Sequence, residues 1–315
     1  MALRRFGRNR PPQLTEEQRE ATELDLDRIR QGGIPAGAEE RLKRIGAAST
    51  PFFTSDLTSK EYALAHASGL APVALIMGSS VVQHGWSNYG WSMYYGGIQE
   101  MPSFAEPWNL ARERAFERLA QEARFANADG VVGIEVKAAG TLGEADNIEF
   151  LVFGTAVRET APALRGGDGI GMCALSGQDV DKLRRIGAEV LGVIGRTSVV
   201  CVALDPRSNY ILNSSGWMGA GAINVEITEI TQGVYAARQL AMDEVRRQAS
   251  AVGANDMVIS TLTHSIHHHE YESGGVTHHF FIVSMHVLGT AIRLGAHDPH
   301  PAPMAAPTMS INLGR

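Results

Sequence analysis

The side chains best suited to chemistry are a cluster of histidines in the last third of the chain. Neutral imidazoles are good ligands for zinc, copper or nickel, and a site for such a metal needs three or four converging donors. One carboxylate, Glu270, lies within the cluster. The candidate ligands are His264, His267, His268, His269, His278 and His279, and His286 follows in the same segment.

Two strands joined by a tight turn would bring these histidines together. If Ser273-Gly274 forms a two-residue turn, His269 pairs with His278, and His267 lies two residues away on the same face. We therefore predict His267, His269 and His278 as the first choice of ligands. A one-residue change in the turn would regroup these side chains.

The opposite face of the same hairpin would hold His268 and His279 beside Glu270. The whole cluster has two other interpretations, a polar hairpin tip that is merely rich in histidine and a pH-sensitive contact. The corresponding segment of the first half of the chain, residues 137–146, contains neither histidine nor cysteine. A metal site would therefore be a property of the second half alone.

A second group of candidate residues is a loop, residues 84–97, in which aromatic side chains alternate with glycine and small polar residues. Such loops form adaptable contact surfaces. The loop contains neither lysine nor arginine, which disfavours nucleic acid as its ligand. It would serve as an oligomer or partner contact, as packing over the protein's own core, or as a small-ligand site. The contact residues are Trp86, Tyr89, Trp91, Tyr94 and Tyr95, with Trp217 in a weaker copy of the loop at residues 210–224.

Other patterns argue against an enzyme. Cys173 and Cys201 are far apart and form no CxxC motif, so neither a disulfide framework nor a thiolate metal site is indicated. No GxSxG motif is present, and the glycine-rich residues 216–221 do not open a helix after a strand. Asp129 and Glu135 fit a turn and the polar face of a strand better than an acid–base pair. We predict no catalytic residues.

Composition and charge indicate a globular protein of the cytoplasm. The hydrophobic share is 44%, the charged share is 20%, and the net charge of −6 gives no reason to expect nucleic acid as a partner. No apolar run approaches the roughly 18 residues of a membrane-spanning helix, and the first residues lack the apolar core of a signal peptide. A short basic arm near the start of the sequence contains Arg4, Arg5, Arg8 and Arg10. We interpret it as a solvated tail, and the alternatives are an arm that binds acidic lipid or a partner protein.

A helix that leads into a buried strand, within residues 108–136, occurs again 126 positions later. Small apolar residues fall every three or four positions along both helices, so each has a narrow stripe that can lie close to a sheet. Repetition of this kind predicts two similar units in one chain. The stripes comprise Ala111, Ala115, Leu119, Ala123 and Ala126 in the first helix and Ala237, Ala241, Val245, Ala249 and Val252 in the second.

Each unit is predicted to run helix, strand, loop, long helix, strand, strand, with the last two strands forming an antiparallel hairpin. The first strands span residues 73–82 and 191–202, an offset of 118 that grows to 126 at the long helix and 135 at the last strand. Residues 280–288 are apolar at both odd and even positions, so both faces of this strand should be covered by the sister unit or by another chain.

Five segments follow from these patterns. Residues 1–50 form a polar extension with two short helices, whose charged faces indicate a docking arm or linker and not part of a core. Residues 51–164 and 172–296 are the two units, joined by a glycine-rich linker at residues 165–171. Residues 297–315, with four prolines, are expected to be disordered.

Several motifs resemble the YbjQ-like family, whose members are usually labelled heavy-metal-binding domains. In the first unit they are Met77-Gly78-Ser79-Ser80, Ala111-Arg112, Ala128-Asp129-Gly130-Val131-Val132-Gly133 and Gly154-Thr155-Ala156-Val157-Arg158. The second unit is similar through Ala237-Arg238, Gly253-Ala254-Asn255-Asp256 and Gly289-Thr290-Ala291. The resemblance implies small two-layer units that assemble into rings, pentameric in several members, and it implies no established reaction.

We therefore predict an α+β fold of two tandem β-α-β-β two-layer units, dodecin-like or YbjQ-like, each preceded by a short helix. The predicted function is that of a non-enzymatic, ring-forming homo-oligomeric scaffold or binding protein. The alternative is transition-metal binding or sensing through the histidine-rich hairpin, with zinc, nickel or copper as the metal. No other cofactor is expected, and a metal-dependent hydrolase with Glu270 as its base is the least supported interpretation.

Overall fold

The structure is a computed structural model that describes residues 15–47, 57–83, 97–139, 147–159, 169–214 and 225–295. The helices are α1 (Glu16–Arg30), α2 (Ala36–Ala47), α3 (Ser59–Ala67), α4 (Pro102–Phe125), α5 (Gly177–Arg185), α6 (Pro206–Ser214) and α7 (Thr228–Ala251). The strands are β1 (Leu70–Gln83), β2 (Gly97–Glu100), β3 (Gly130–Ala139), β4 (Asn147–Glu159), β5 (Gly171–Met172), β6 (Ala188–Ala203), β7 (Asp256–Ser273) and β8 (Val276–Leu294). The strands form two sheets and the chain also contains helices, which confirms the predicted α+β class.

The first sheet has the order β1-β4-β3-β5, and α4 covers one of its faces. The predicted stripe of α4 is confirmed, since Ala111, Ala115, Leu119 and Ala123 are fully buried. Their small size lets the helix lie against the strand backbone. At Gly78 on β1 a Cβ atom would overlap the carbonyl oxygen of Ala115 and lie 2.7 Å from the backbone nitrogen of Leu119.

The second sheet has the order β2-β6-β8-β7, and α7 covers one face of it. Gly233, Ala237, Ala241 and Val245 of α7 are buried against the sheet. The hydroxyl of Ser198 on β6 donates a hydrogen bond of 2.6 Å to the carbonyl oxygen of Ala237, which fixes the helix along the strand.

The two sheets pair their strands in the same register once the sequence offsets are applied. The first strand of each sheet has an irregularity at equivalent positions, between 72 and 74 in β1 and between 190 and 192 in β6. Ser80 pairs with Phe150 in the first sheet, and the equivalent residues Ser198 and Met285 pair in the second. Each sheet with its covering helix is called a unit below.

The two units exchange edge strands. The four-residue β2 precedes the helix of the first unit, yet it pairs antiparallel with β6 of the second sheet. The short β5 precedes the second unit and pairs parallel with β3 of the first sheet. The sequence did not predict this exchange, because two- and four-residue strands carry no periodic signal of their own.

Both faces of β8 are covered, as its apolar pattern predicts. Phe281, Val283 and Met285 face α7. Phe280 and Ile282 point to the other face, where they pack with the residues that begin α4. The sister unit therefore supplies the cover on that side.

Part of the N-terminal extension belongs to the core, which corrects the expectation of a docking arm. Helices α1 and α2 form as predicted, but Ile34 and Leu42 are buried in the cluster under α4. A Cβ atom at Gly46 would lie 2.9 Å from the carbonyl carbon of Ala126, so α2 approaches the end of α4 closely. The sequence pattern missed this because Ile34 stands in the turn before α2, outside any helical stripe.

In the described part of the chain, no helix combines the length and apolarity needed to cross a membrane.

Candidate functional site

The histidine-rich hairpin is formed by β7 and β8, and its turn differs from the predicted one. The turn residues are Gly274 and Gly275, whose φ angles of 62° and 76° lie in the left-handed region that glycine favours. Ser273 pairs with Val276, so the predicted Ser273-Gly274 turn is wrong by one residue. His269 consequently pairs with Phe280 and not with His278.

The error shifts every pair by two residues, so the predicted division of the histidines between two faces still holds. His269 stacks on Phe280 with ring centroids 5.1 Å apart, and His278 stacks on Tyr271 at 4.9 Å. The Nε2 atom of His267 lies 3.1 Å from the Ser265 hydroxyl oxygen. The structure thus gives each of these three histidines a different neighbour, while His264 is exposed further along β7.

His268, Glu270 and His279 converge on the opposite face. Nε2 of His268 is 2.9 Å from Nδ1 of His279, and Oε1 of Glu270 is 3.3 Å from the same Nδ1. These ligand atoms all lie within 4.8 Å of one another, and this is the one such trio among the described residues. We call it the His268–Glu270–His279 cluster.

Helix α6 orients His279. Asn209 Oδ1 accepts a hydrogen bond of 2.9 Å from the backbone N–H of His279, and Asn213 Oδ1 lies 3.0 Å from its Nε2. Both asparagines donate their amide groups to the carbonyl oxygen of Thr277, which fixes which way each amide points. The Nε2 atom of His279 is therefore placed to donate to Asn213, and its Nδ1 atom faces His268 and Glu270.

The donor set fits a transition metal. Two imidazoles and a carboxylate are a common first shell for zinc, and ligating histidines usually donate their other N–H to an oxygen, as His279 does to Asn213. His279 is buried, and the ring of His268 lies flat on Phe281 at a centroid distance of 4.6 Å. The sequence could not indicate the part played by Asn213, because residues 210–224 were assigned to a loop and the first of them in fact end α6.

A second polar site lies between the two units, around His286. It is a cavity of about 310 Å³ lined by Arg112, Lys137, Thr197 and His286 among others. Nδ1 of His286 is 2.9 Å from the Thr197 hydroxyl, and the Trp108 ring meets the imidazole edge-on at 4.7 Å. His286 thus lies apart from the other histidines with which the sequence grouped it.

Burial controls the charges in this cavity. It lowers the pKa of His286 to about 4, and the nearby Arg112 guanidinium contributes to the decrease. Burial also lowers the pKa of Arg112 to about 10, so that Arg112 stays charged at neutral pH while His286 is neutral.

The two cysteines are structural. Cys173 and Cys201 are buried and unpaired, and burial raises the pKa of each thiol to about 11. A thiol with so high a pKa is a poor nucleophile at neutral pH. The predicted contact residues and the predicted tail at residues 297–315 lie outside the described residues: Trp86, Tyr89, Trp91, Tyr94, Tyr95 and Trp217.

Comparisons with known proteins agree with this architecture. A family model described as "Putative heavy-metal-binding", that of the YbjQ proteins, matches residues 72–160, which contain most of β1 and all of β2, α4, β3 and β4. A UPF0145 protein of Methanococcus vannielii is 41% identical over 58 residues, which cover 18% of this chain and 53% of that protein. Residues 72–160 are therefore similar to the YbjQ family, and this segment carries the likeness.

A second relative matches a longer part of the chain. The encapsulin nanocompartment protein Rv1762c of Mycobacterium tuberculosis is 32% identical over 231 residues, which cover 71% of this chain and 84% of that protein. The chain belongs to the same family as this mycobacterial protein.

Proposed function

We propose that the protein is a non-enzymatic scaffold of the cytoplasm that assembles with copies of itself into a ring and works with a protein nanocompartment. The name of the mycobacterial relative supports the nanocompartment for that protein, and the shared family extends it to this chain. The buried, weakly nucleophilic cysteines are consistent with a structural role.

Self-assembly rests chiefly on one observation, the unequal cover of the two sheets. In the second sheet both faces of β8 are covered, although Leu262 and Ile266 of the edge strand β7 are exposed. The first sheet exposes apolar side chains on the face away from α4. Met77 and Val81 of β1 are 47% and 63% exposed. Exposed apolar side chains side by side on a sheet face indicate a contact with another chain.

The second unit is, on this proposal, a diverged copy of the first, with residues 51–164 and 172–296 as the two units. The shared strand register and the equivalent irregularities in β1 and β6 support the duplication. A chain built from two copies can use the contact between its own units again between chains, and a head-to-tail contact that closes produces a ring.

Native mass spectrometry of the full chain tests the assembly. We expect one dominant species whose mass is an integer multiple of the 33.9 kDa chain at micromolar concentration. Size-exclusion chromatography with light scattering gives the same quantity in solution. A species of 33.9 kDa alone would contradict the proposal.

The second candidate function is transition-metal binding, and the convergence of His268, Glu270 and His279 favours it. These three side chains would hold zinc, nickel or copper, with Asn213 orienting His279 through the N–H at Nε2. The matching family model is described as heavy-metal-binding, which agrees with a metal site in this protein. A bound ion would act here as a structural or sensing element at the tip of the hairpin.

Calorimetric titration of tag-free protein with Zn²⁺ and Ni²⁺ tests the metal site. We expect about one ion per chain, and His279→Ala should weaken binding by at least about tenfold, because it removes a ligand. His264→Ala is the matched control and should bind as the wild type does. If His269→Ala or His278→Ala reduces affinity and His279→Ala does not, the ligands lie on the other face; absence of uptake removes this function.

A further inference from the structure

The contact between the two units of one chain has two parts, and the first is strand pairing. β2 adds to the edge of β6, with Gln99 opposite Cys201 and Glu100 opposite Val200. The pairing continues into the residue before α4, since the backbone N–H of Met101 donates a hydrogen bond of 2.8 Å to the carbonyl oxygen of Val199.

The second part is the cover of the sheet by the start of α4. Met101, Phe104 and Ala105 pack on Val199, which is fully buried as a result. Further along the helix, the side-chain amide of Asn109 makes two hydrogen bonds of 3.0 Å with the backbone of Thr197, one as donor and one as acceptor. A short strand and the first two turns of a helix therefore act together as one docking element.

The first unit carries the equivalent receiving surface, and within the described part of the chain no strand and no helix start docks on it as β2 and α4 dock on β6. β1 is equivalent to β6, but it is the edge strand of its sheet, and no described strand pairs with its outer edge. Side chains of α4 reach that edge, where Glu122 accepts a hydrogen bond from the N–H of Met77 and Arg118 donates to the carbonyl oxygen of Ser79. Val81, equivalent to the buried Val199, is 63% exposed. Leu151 and Phe153 of β4 are half-buried on the same face.

The second unit carries the equivalent docking element, and among the described residues two of its large side chains are exposed. Residues 225–227 are equivalent to 99–101, and in the structure they are not part of a strand. Val225 is 47% exposed, and Tyr235, which is equivalent to Asn109, is 65% exposed. Ile230, equivalent to Phe104, is half-buried at the start of α7.

We infer that residues 225–235 of one chain dock on the β1 edge and the exposed face of the first sheet of a second copy. The contact repeats between chains the one that residues 99–109 make within a chain. Val225 lies opposite Gln83 of the second copy, Glu226 lies opposite Val82, and the N–H of Ile227 donates to the carbonyl oxygen of Val81. This inference rests on the proposed self-assembly and names its interface.

The geometry of this contact has a consequence for the assembly. The two surfaces of this contact are different, so each chain contributes the docking element of its second unit and the receiving surface of its first unit. Every junction around a closed ring then joins similar units, and the ring contains an even number of them, two from each chain.

Disulfide trapping between two single variants tests the interface. Gln83→Cys and Val225→Cys each place one thiol at an exposed position, and antiparallel neighbours lie within the usual range for a disulfide. After oxidation, each variant alone should stay free of interchain disulfides, whereas an equal mixture should give covalent dimers. The double variant in one chain should give covalent multimers up to the closed ring.

Two controls accompany this experiment. Gln99→Cys should form a disulfide with the native Cys201 inside one chain and leave the oligomer mass unchanged. Gln83→Cys combined with Val276→Cys, at the far end of β8, should give no interchain bond. An oligomer of normal mass without the 83–225 disulfide overturns the interface and leaves self-assembly intact, while a monomer overturns both.

Val81→Asp gives an independent measurement. The substitution places a carboxylate where the docking helix of the next chain would bury it, and we expect the dissociation constant of the oligomer to rise at least about tenfold. The side chain is exposed within its own chain, so circular dichroism should be unchanged. Val276→Asp, at another half-exposed valine, should keep the oligomer; a Val81→Asp protein that assembles like the wild type overturns the interface.

Discussion

A chain with Gly78→Ala should lose about 3 kcal/mol of the free energy of unfolding, the upper end of the effect of overpacking a core. The added methyl group would overlap the carbonyl oxygen of Ala115, and it would lie 2.7 Å from the nitrogen of Leu119. Both atoms belong to the backbone of α4 and cannot move as a side chain can. The helix would have to withdraw from the sheet along its buried stripe.

Urea unfolding followed by circular dichroism measures this loss as a lower midpoint. Gly37→Ala in α2 is the matched control, because no atom lies within 4 Å of the Cβ position there. That substitution should be neutral or stabilise the protein by up to about 1 kcal/mol, because alanine favours a helix. Equal midpoints for Gly78→Ala and the wild type would mean that α4 does not lie against β1 as described.

Acidification should destabilise the protein through His286. Its pKa is lowered to about 4 in the folded protein, whereas an imidazole in the unfolded chain titrates near 6.5. The unfolded state therefore binds a proton first, and stability falls as the pH decreases from about 6.5 to about 4. A shift of this size corresponds to about 3 kcal/mol over that range.

The pH dependence belongs to the cavity between the units. His286 is faced by Thr197 on β6, Ser284 on β8, Trp108 and the charged Arg112 on α4, and Lys137 on β3 across the cavity. His286→Gln should flatten the plot of unfolding free energy against pH between 4 and 6.5, and His264→Gln, at an exposed site, should not. The same slope in the His286→Gln protein and the wild type would contradict the assignment.

The sequence predicts the elements that carry a periodic signal. The spacing of Ala111, Ala115 and Leu119 identifies the buried stripe of α4, and the same spacing from Ala237 identifies that of α7. The alternation of side chains in β7 and β8 also predicts which histidines share a face, since a turn displaced by one residue at each strand end moves the partners by two and preserves the parity.

The sequence does not predict contacts that depend on geometry between distant segments. The exchange of β2 joins residues about one hundred positions apart through four backbone pairs, and no side-chain pattern marks it. The convergence of His268 and His279, instead of His267 and His269, depends on the turn at Gly274 and on asparagines from α6. The burial of His286 depends on α4 of the sister unit, which reaches it only in the folded chain.

Particle images of the purified 315-residue protein would show whether the contact between the two units is used again between chains. We expect closed rings with an even number of similar lobes, two for each 33.9 kDa chain of the measured mass. Isolated two-lobed particles, or an assembly in which the β1 edge of the first unit points to solvent, would contradict this expectation.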